Sequence, residues 1–314
     1  MNVSIRPYER GEIPKIVGLW NQTMAADPVS QQRLMLDYVL DPHFDPRALL
    51  VAEVENELVG FVLGMSARAD EPSDNAIGTG IIAGLGVHAD HRRQGVSTAL
   101  LTALEQYWQA NGVERVQIGP WIPSYLVPGV DEVAYPGTVD FLQKHGYQAG
   151  AKPVSMRALL TGYEPSADVP EIAQRLESEG IVIRPALAED AHELLAFAAE
   201  HFAHWESYVR GALRSVVSAL DSATLHVALD GDVIIGFAIT HGERFGPFGV
   251  NSDYRGRGVG AVLLSRALCA MRAANVHMAY FLWTSDQTAR LYNRHGFEIV
   301  RRFTMMSKQL TKEN

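Results

Sequence analysis

The stretch Phe248-Gly249-Val250-Asn251-Ser252-Asp253-Tyr254-Arg255-Gly256-Arg257-Gly258-Val259-Gly260 decides how the rest of the chain is read. An apolar run, Val233 to Ile239, precedes it, and Phe248–Val250 leads into it as a strand. Val262, Leu263, Leu268 and Met271 then recur at helical spacing. Glycines at 256, 258 and 260 let the backbone turn tightly and approach a ligand without Cβ interference. Free N–H groups opening a helix form an anion site that the helix dipole reinforces, and Arg255 and Arg257 add positive potential. The pattern reads as strand, diphosphate-binding turn, helix. A P-loop needs Gly-x-x-x-x-Gly-Lys-Ser/Thr, which the chain lacks. A dinucleotide fingerprint needs Gly-x-Gly-x-x-Gly and an acid about 20 positions on. Here the third glycine comes one position early, and Ala279-Tyr280-Phe281-Leu282-Trp283 holds no acid. What remains is Arg-x-x-Gly-x-Gly, at Arg255, Gly258 and Gly260.

Further on, Met278–Trp283 is a second apolar run, and Thr284-Ser285-Asp286-Gln287 reads as a helix cap. Ala289-Arg290-Leu291-Tyr292-Asn293-Arg294-His295-Gly296-Phe297 comes next, a short helix ending at glycine and re-entering a strand. With the arginine–glycine turn upstream, this ending resembles the GNAT (Gcn5-related) N-acetyltransferases, whose turn holds the pyrophosphate of acetyl-CoA. The resemblance implies cofactor contacts at Val250, Arg255, Gly256, Arg257, Gly258, Val259 and Gly260, and at Ser285, where the family often has asparagine. It also implies that Tyr292 lies beside the sulfur and protonates the departing thiolate. A backbone N–H near Phe248, on a strand splayed from its neighbour, would polarise the thioester carbonyl. Candidate bases for the amine are Glu243 and His241 before the strand, and His201, His204 and Glu206 in an aromatic segment with Phe202, Trp205 and Tyr208. The acceptor expected is a small-molecule primary amine that takes the acetyl group by direct transfer.

The chain has 314 residues, 47% hydrophobic and 20% charged, which suits one large or two medium globular domains. A net charge of −9 argues against a nucleic-acid surface. Neither a signal peptide nor an apolar run of about 18 residues is present, so no membrane partner is expected. The single cysteine, Cys269, cannot form an internal disulfide, which fits a cytoplasmic protein; it reads as a small core residue. The histidines are scattered without ligand spacing, so no metal is expected.

The first half repeats the second. Ile5-Arg6-Pro7 matches Ile183-Arg184-Pro185, and Gly60-Phe61 matches Gly236-Phe237. Arg92-x-x-Gly95-x-Ser97 matches Arg255-x-x-Gly258-x-Gly260, and His145-Gly146-Tyr147 matches His295-Gly296-Phe297. Order is kept while loop lengths drift, so the chain is an internal duplication. The fold class expected is α/β, two tandem GNAT-like domains, each a mostly antiparallel twisted sheet flanked by helices. Boundaries are placed at 1–160, a linker at 161–180 within which Val169–Glu179 reads as a helix, and 181–314. In the first copy Val87, Arg92, Arg93, Gln94, Gly95, Val96 and Ser97 form the matching cofactor turn. Its tyrosine slot is Leu142, which cannot donate a proton. Tyr125 or Tyr135 could replace it only if the proline-marked insertion from Trp121 to Val130, read as a surface loop with a lid or an inter-domain contact as the alternative, folds back. The expectation is therefore a catalytic C-terminal copy and an N-terminal copy that binds acetyl-CoA without turnover or serves as scaffold. A non-catalytic acyl-CoA-binding or regulatory protein is the alternative, and both a monomer and a homodimer are open.

Overall fold

A computed structural model describes residues 3–71, 73–122, 124–218 and 223–310. The chain forms two compact units. Unit one is Met1–Pro153 with Arg302–Asn314, and unit two is Val154–Arg301. In chain order, unit one contains β1 (Ser4–Pro7), α1 (Ile13–Thr23), α2 (Gln31–Leu34), β2 (Leu49–Val54), β3 (Glu57–Ser66), β4 (Thr79–Val87), α3 (Val96–Ala110), β5 (Arg115–Ile118), α4 (Thr138–Lys144) and β6 (Gln148–Ala149). Unit two contains β7 (Val154–Leu159), α5 (Val169–Ser178), β8 (Ile181–Pro185), α6 (Ala191–His201), α7 (Glu206–Ser218), β9 (Ala223–Asp230), β10 (Val233–His241), β11 (Arg244–Val250), α8 (Val259–Ala273), β12 (Met278–Thr284), α9 (Asp286–Asn293) and β13 (Glu298–Arg302). The last strand, β14 (Met306–Gln309), returns to unit one.

Each unit is a seven-stranded sheet with helices on both faces. The orders are β1-β2-β3-β4-β5-β14-β6 and β13-β7-β12-β11-β10-β9-β8. Alternation along β3 sends Val62 to a core with Leu100, Leu104 and Trp108 of α3, while Phe61 and Leu63 meet Ile16 and Trp20 of α1. Unit two repeats the sandwich, with α5 and α8 on one face and α6 and α7 on the other. The repeated Ile-Arg-Pro segment staples the strand that carries it to the start of the next helix. Arg6 reaches Glu12 at 2.8 Å and Arg184 reaches Asp190 at 2.7 Å. Arg184 holds the Asp190 carboxyl below its ordinary range.

Three expectations change in the structure. The helix expected over Val169–Glu179 forms as α5, and instead of lying in a free linker it lays an apolar stripe of Val169, Ile172, Ala173 and Leu176 into the unit-two core. The boundary near 160 is replaced by a strand exchange, since β7 joins the second sheet and the chain's end supplies β14 to the first. Cys269 is exposed, because α8 buries 262–264, 267, 268 and 271 and position 269 falls on the opposite face.

β14 lies between β5 and β6, pairing Ser307 with Gln117 and with Gln148. Its Lys308 donates to Glu105 Oε2 at 2.6 Å, while Tyr147 donates to Glu105 Oε1 at 2.7 Å. Removing the ammonium in Lys308→Ala leaves a carboxylate only 13% exposed without its cation. We expect urea unfolding to show a loss of about 1–3 kcal/mol, and an unchanged midpoint would show that the pair does not hold the strand.

Burial lowers the pKa of His226, aided by Arg266, and that of His295, aided by Arg294 against Asp168. A lowered folded pKa means the neutral form is favoured on folding. This contribution is complete above the unfolded value of about 6.5 and is lost as pH falls below it. Melting temperatures recorded from pH 8 to 5 should be level and then decline below about 6.5; a rise on acidification would reverse the assignment.

Candidate functional site

The site begins where two parallel strands stop pairing. In unit one β4 pairs with β5 from Thr79–Arg115 to Ile82–Ile118. At Ala83 the β3–β4 register slips by one residue, a bulge, and β5 ends. His88 donates its N–H to Val59 on the β3 side at 2.8 Å, so by strand alternation the Leu85 and Val87 amides point away from β3, into the gap. In unit two β11 pairs with β12 at Arg244–Tyr280 alone. Asn251 donates to Ile235 at 2.9 Å, and the amides of Phe248 and Val250 face the gap there. The expected splayed strand is therefore present in both units.

The two turns after these strands are close copies. Gly95 at φ +84° and Gly258 at φ +88° are the left-handed N-caps of α3 and α8, and neither helix start has a side-chain cap. The first-turn N–H groups are thus left for another acceptor. Arg92 Nε donates to the Val87 carbonyl at 3.0 Å and Gln94 Nε2 to the Asp90 carbonyl at 2.8 Å. Arg93 takes a positive φ where unit two has Gly256.

What differs is the filling. In unit one a cleft of about 510 Å³ runs from the turn residues Arg92, Arg93 and Ser97 along Ala83–Val87. It continues between Thr23–Ala26 on one wall and Val127–Val130 with Ala134–Leu142 on the other. No atom lies within 4 Å of where a Cβ on Gly95 would be. On the β4 floor, Gly86 lets Thr23 approach so closely that a Cβ there would fall 2.1 Å from its hydroxyl oxygen. The insertion expected as a surface loop folds inward: Trp121 is buried with Nε1 donating to Asp41 at 2.9 Å, and Val130 and Thr304 exchange backbone hydrogen bonds. It thereby carries Tyr135 into the cleft, while Leu142 is buried beneath.

In unit two α5 covers the turn. A Cβ on Gly258 would fall 2.5 Å from Ile172, so that side chain sits in the cradle. Arg175 donates to the Arg257 carbonyl at 2.6 Å, and Arg257 pairs with Glu179 at 2.6 Å. Arg257 and Arg175 hold the Glu179 carboxyl below its ordinary range. Where unit one has Thr23 over Gly86, unit two has Phe202 over Gly249, 2.7 Å from a Cβ position and stacked on Trp205 at 5.2 Å. Gly260 faces Phe248 at 3.3 Å. Val259 is buried, and Arg255 and Gly256 are exposed.

The remaining expected residues scatter. Tyr292 is 7% exposed, ringed by Phe245, Phe248, Phe281 and Phe297 at 4.4–6.2 Å, and burial raises its hydroxyl pKa. Ser285 accepts the Thr288 N–H at 3.2 Å, so it caps α9. Glu243 is exposed at the tip joining β10 to β11 and does not reach the gap. It lies at the far end of the strand, roughly 15 Å from Phe248 at ordinary strand rise. His201, His204 and His241 are exposed, and Glu206 is paired with Arg210. Asp27, whose carboxylate accepts the Tyr135 hydroxyl at 2.5 Å, had no sequence signal: it sits in a short loop, 108 residues from its partner. Among the described residues no group of three or more His, Cys, Asp and Glu is placed to hold a metal, and no helix is long and apolar enough to cross a membrane.

Comparison with known proteins matches residues 16–121 to the acetyltransferase (GNAT) family model and residues 221–299 to an acetyltransferase (GNAT) domain model. A mycothiol acetyltransferase of Geodermatophilus obscurus is 29% identical over 228 residues, 66% of this chain and 67% of that protein. Among solved structures, the glucosamine N-acetyltransferase region of a fungal multi-domain GH3 β-N-acetylglucosaminidase superposes with a TM-score of 0.79 at 19% identity. That match covers 98% of this chain but only 38% of the other. A tandem GNAT protein from the clavulanic acid biosynthesis pathway superposes at 0.66 and 17% identity, covering both chains fully. At these identities the structural matches speak for the fold.

The aromatic ring around Tyr292 leaves its hydroxyl little to do for the fold. Tyr292→Phe should keep thermal stability within about 0.5 kcal/mol, measured by calorimetric melting; a large loss would reveal a structural hydrogen bond there.

Proposed function

Because the chain belongs to the GNAT acetyltransferase family, carrying two such domains in tandem, we propose that it moves an acetyl group from acetyl-CoA to the primary amine of a small molecule, and that unit one does so. The observation that carries this reading is the contrast between the two turns: Gly95 opens onto a cleft, whereas Gly258 holds Ile172. The sequence favours the C-terminal copy for its tyrosine and third glycine. The geometry favours the N-terminal one for its space.

The residues of unit one fit the donor. Acetyl-CoA, when bound, supplies the acetyl group as a thioester. The uncapped N–H groups of α3, with Arg92 and Arg93, suit a pyrophosphate at the turn. Ser97 is small enough to leave the helix start accessible. The Leu85 and Val87 amides facing the splay are placed to stabilise negative charge on the thioester oxygen, a role worth a few kcal/mol of barrier in acyl transfer. The mainly apolar walls exclude water around them. Unit two keeps the fold of a transferase while α5, Phe202 and Phe248 occupy the corresponding spaces.

Calorimetric titration with acetyl-CoA tests the assignment. The wild-type chain should bind one equivalent. Ser97→Glu places a carboxylate in the first turn of α3, where it is compatible with a helix but repels a phosphate, and should abolish binding. Arg255→Glu in the covered turn should leave one equivalent. Two equivalents in the wild type, or binding retained in Ser97→Glu and lost in Arg255→Glu, would return the chemistry to unit two.

A further inference from the structure

Among the described residues that line the unit-one cleft, the ionisable side chains are Arg92, Arg93 and Tyr135. Both arginines stand at the turn, where the pyrophosphate of the donor is proposed to sit, so their charge is taken up there. The Tyr135 hydroxyl donates to Asp27 Oδ2 at 2.5 Å, and Asp27 itself does not line the cleft. The acids that follow the insertion are turned into the fold as well. Asp131 is 5% exposed and accepts the Val133 and Ala134 N–H groups at 3.0 and 3.1 Å. Glu132 accepts the Thr304 hydroxyl at 2.7 Å. Thr23, pressed against Gly86, gives its own hydroxyl hydrogen to the Leu19 carbonyl at 2.8 Å. What remains of the two walls is apolar or small: Met24, Ala25 and Ala26 on one side, Val127, Val130 and Leu142 on the other. Away from the turn, these walls hold neither a cation nor a carboxylate.

We propose that the acceptor is an apolar monoamine, a primary amine on an alkyl or arylalkyl body that carries no second charge; this rests on unit one being the transferring unit. The reason lies in what happens to each charge. In the transfer the C–N bond forms as the C–S bond breaks, and the C–S bonding pair leaves on sulfur. Of the two protons that the ammonium gives up, one goes to the sulfur and one to solvent. The reacting nitrogen therefore arrives charged and ends as a neutral amide. A second ammonium or a carboxylate on the acceptor keeps its charge throughout, between walls that offer no counter-ion. Burying an unpaired charge costs far more than the rest of a small molecule gains by burial. A ring of hydroxyls meets a milder form of the same penalty, since each buried hydroxyl left without a partner costs its hydration. An alkyl or aryl body gains where those lose, because its contact with Met24, Val127 and Leu142 removes apolar surface from water.

The test uses the full chain with acetyl-CoA and matched pairs of probe amines, and reads kcat/KM from coenzyme A release. 2-Phenylethylamine is set against phenylalanine, which adds a carboxylate, and butylamine against putrescine, which adds an ammonium. Cyclohexylamine is set against glucosamine, which adds hydroxyls. Within each pair the apolar member should be favoured by about tenfold or more, the scale of one polar group buried without a partner. Supplying the missing counter-ion should then shift one pair by itself. Ala25→Asp and Val127→Asp, one on each wall, should raise the ratio of putrescine to butylamine by about tenfold and lower that of phenylalanine to 2-phenylethylamine. A substitution that merely disturbed the fold would lower both members of a pair alike. Equal rates within the pairs, a preference for the charged or hydroxylated members, or unchanged ratios in both variants would overturn the inference. If no probe releases coenzyme A while Ser97→Glu still abolishes acetyl-CoA binding, this inference fails and the unit-one assignment stands. If Ser97→Glu leaves binding intact, that assignment fails first.

Discussion

The open cleft of unit one depends on the loss of pairing between β4 and β5 beyond Ile82 and Ile118. A paired strand spends its amides on its neighbours; a splayed strand keeps those on one side for a ligand. The bulge at Ala83 makes the break, because one extra residue re-aims the strand and ends the register. From there the chain runs through Val87 into the turn and α3, so the amides facing the gap and the uncapped helix start lie along one continuous backbone path. The glycine-lined floor lets α1 close in, with Thr23 against Gly86 and Trp20 against Gly84. That packing fixes the wall formed by Thr23–Ala26.

The same path exists in unit two, and there the space has been given to the fold. Ile172 fills the Gly258 cradle, Arg175 and Glu179 take up Arg257, and Phe202 covers Gly249. Each replacement buries apolar surface or pairs a charge, so filling a ligand site adds to stability at that place. Duplication permits this division. One copy can hold its splay open, at the cost of unsatisfied donors, while the other closes.

The strand exchange adds a constraint on unit one. Its sheet is completed by β14, and its cleft wall leans on the same terminal segment, since Val130 and Thr304 exchange backbone hydrogen bonds. A Cβ on Gly129 would fall 2.8 Å from the Thr304 carbonyl oxygen, so the loop that carries Tyr135 is packed against the end of the chain. The geometry of the cleft is therefore set by residues from both ends of the sequence.

The amino-acid sequence by itself determined the duplication, the family and the strand–turn–helix motif in each copy, and the splay was expected only from the family resemblance. These are local patterns: glycine spacing, an arginine five residues after a strand, apolar periodicity. Only the tertiary structure decided which copy is open. Ile172 lies 86 residues from the glycine it covers and Phe202 lies 47 from the one it shields, and neither contact has a signature in its own segment. Tyr292 matched its motif and lies in an aromatic cage; Tyr135 matched none and faces the cleft. Glu243 was near the motif in sequence, yet an extended strand carries it to the far end of the sheet. A motif specifies how a backbone turns, whereas what fills the space beside it depends on side chains that only folding brings there.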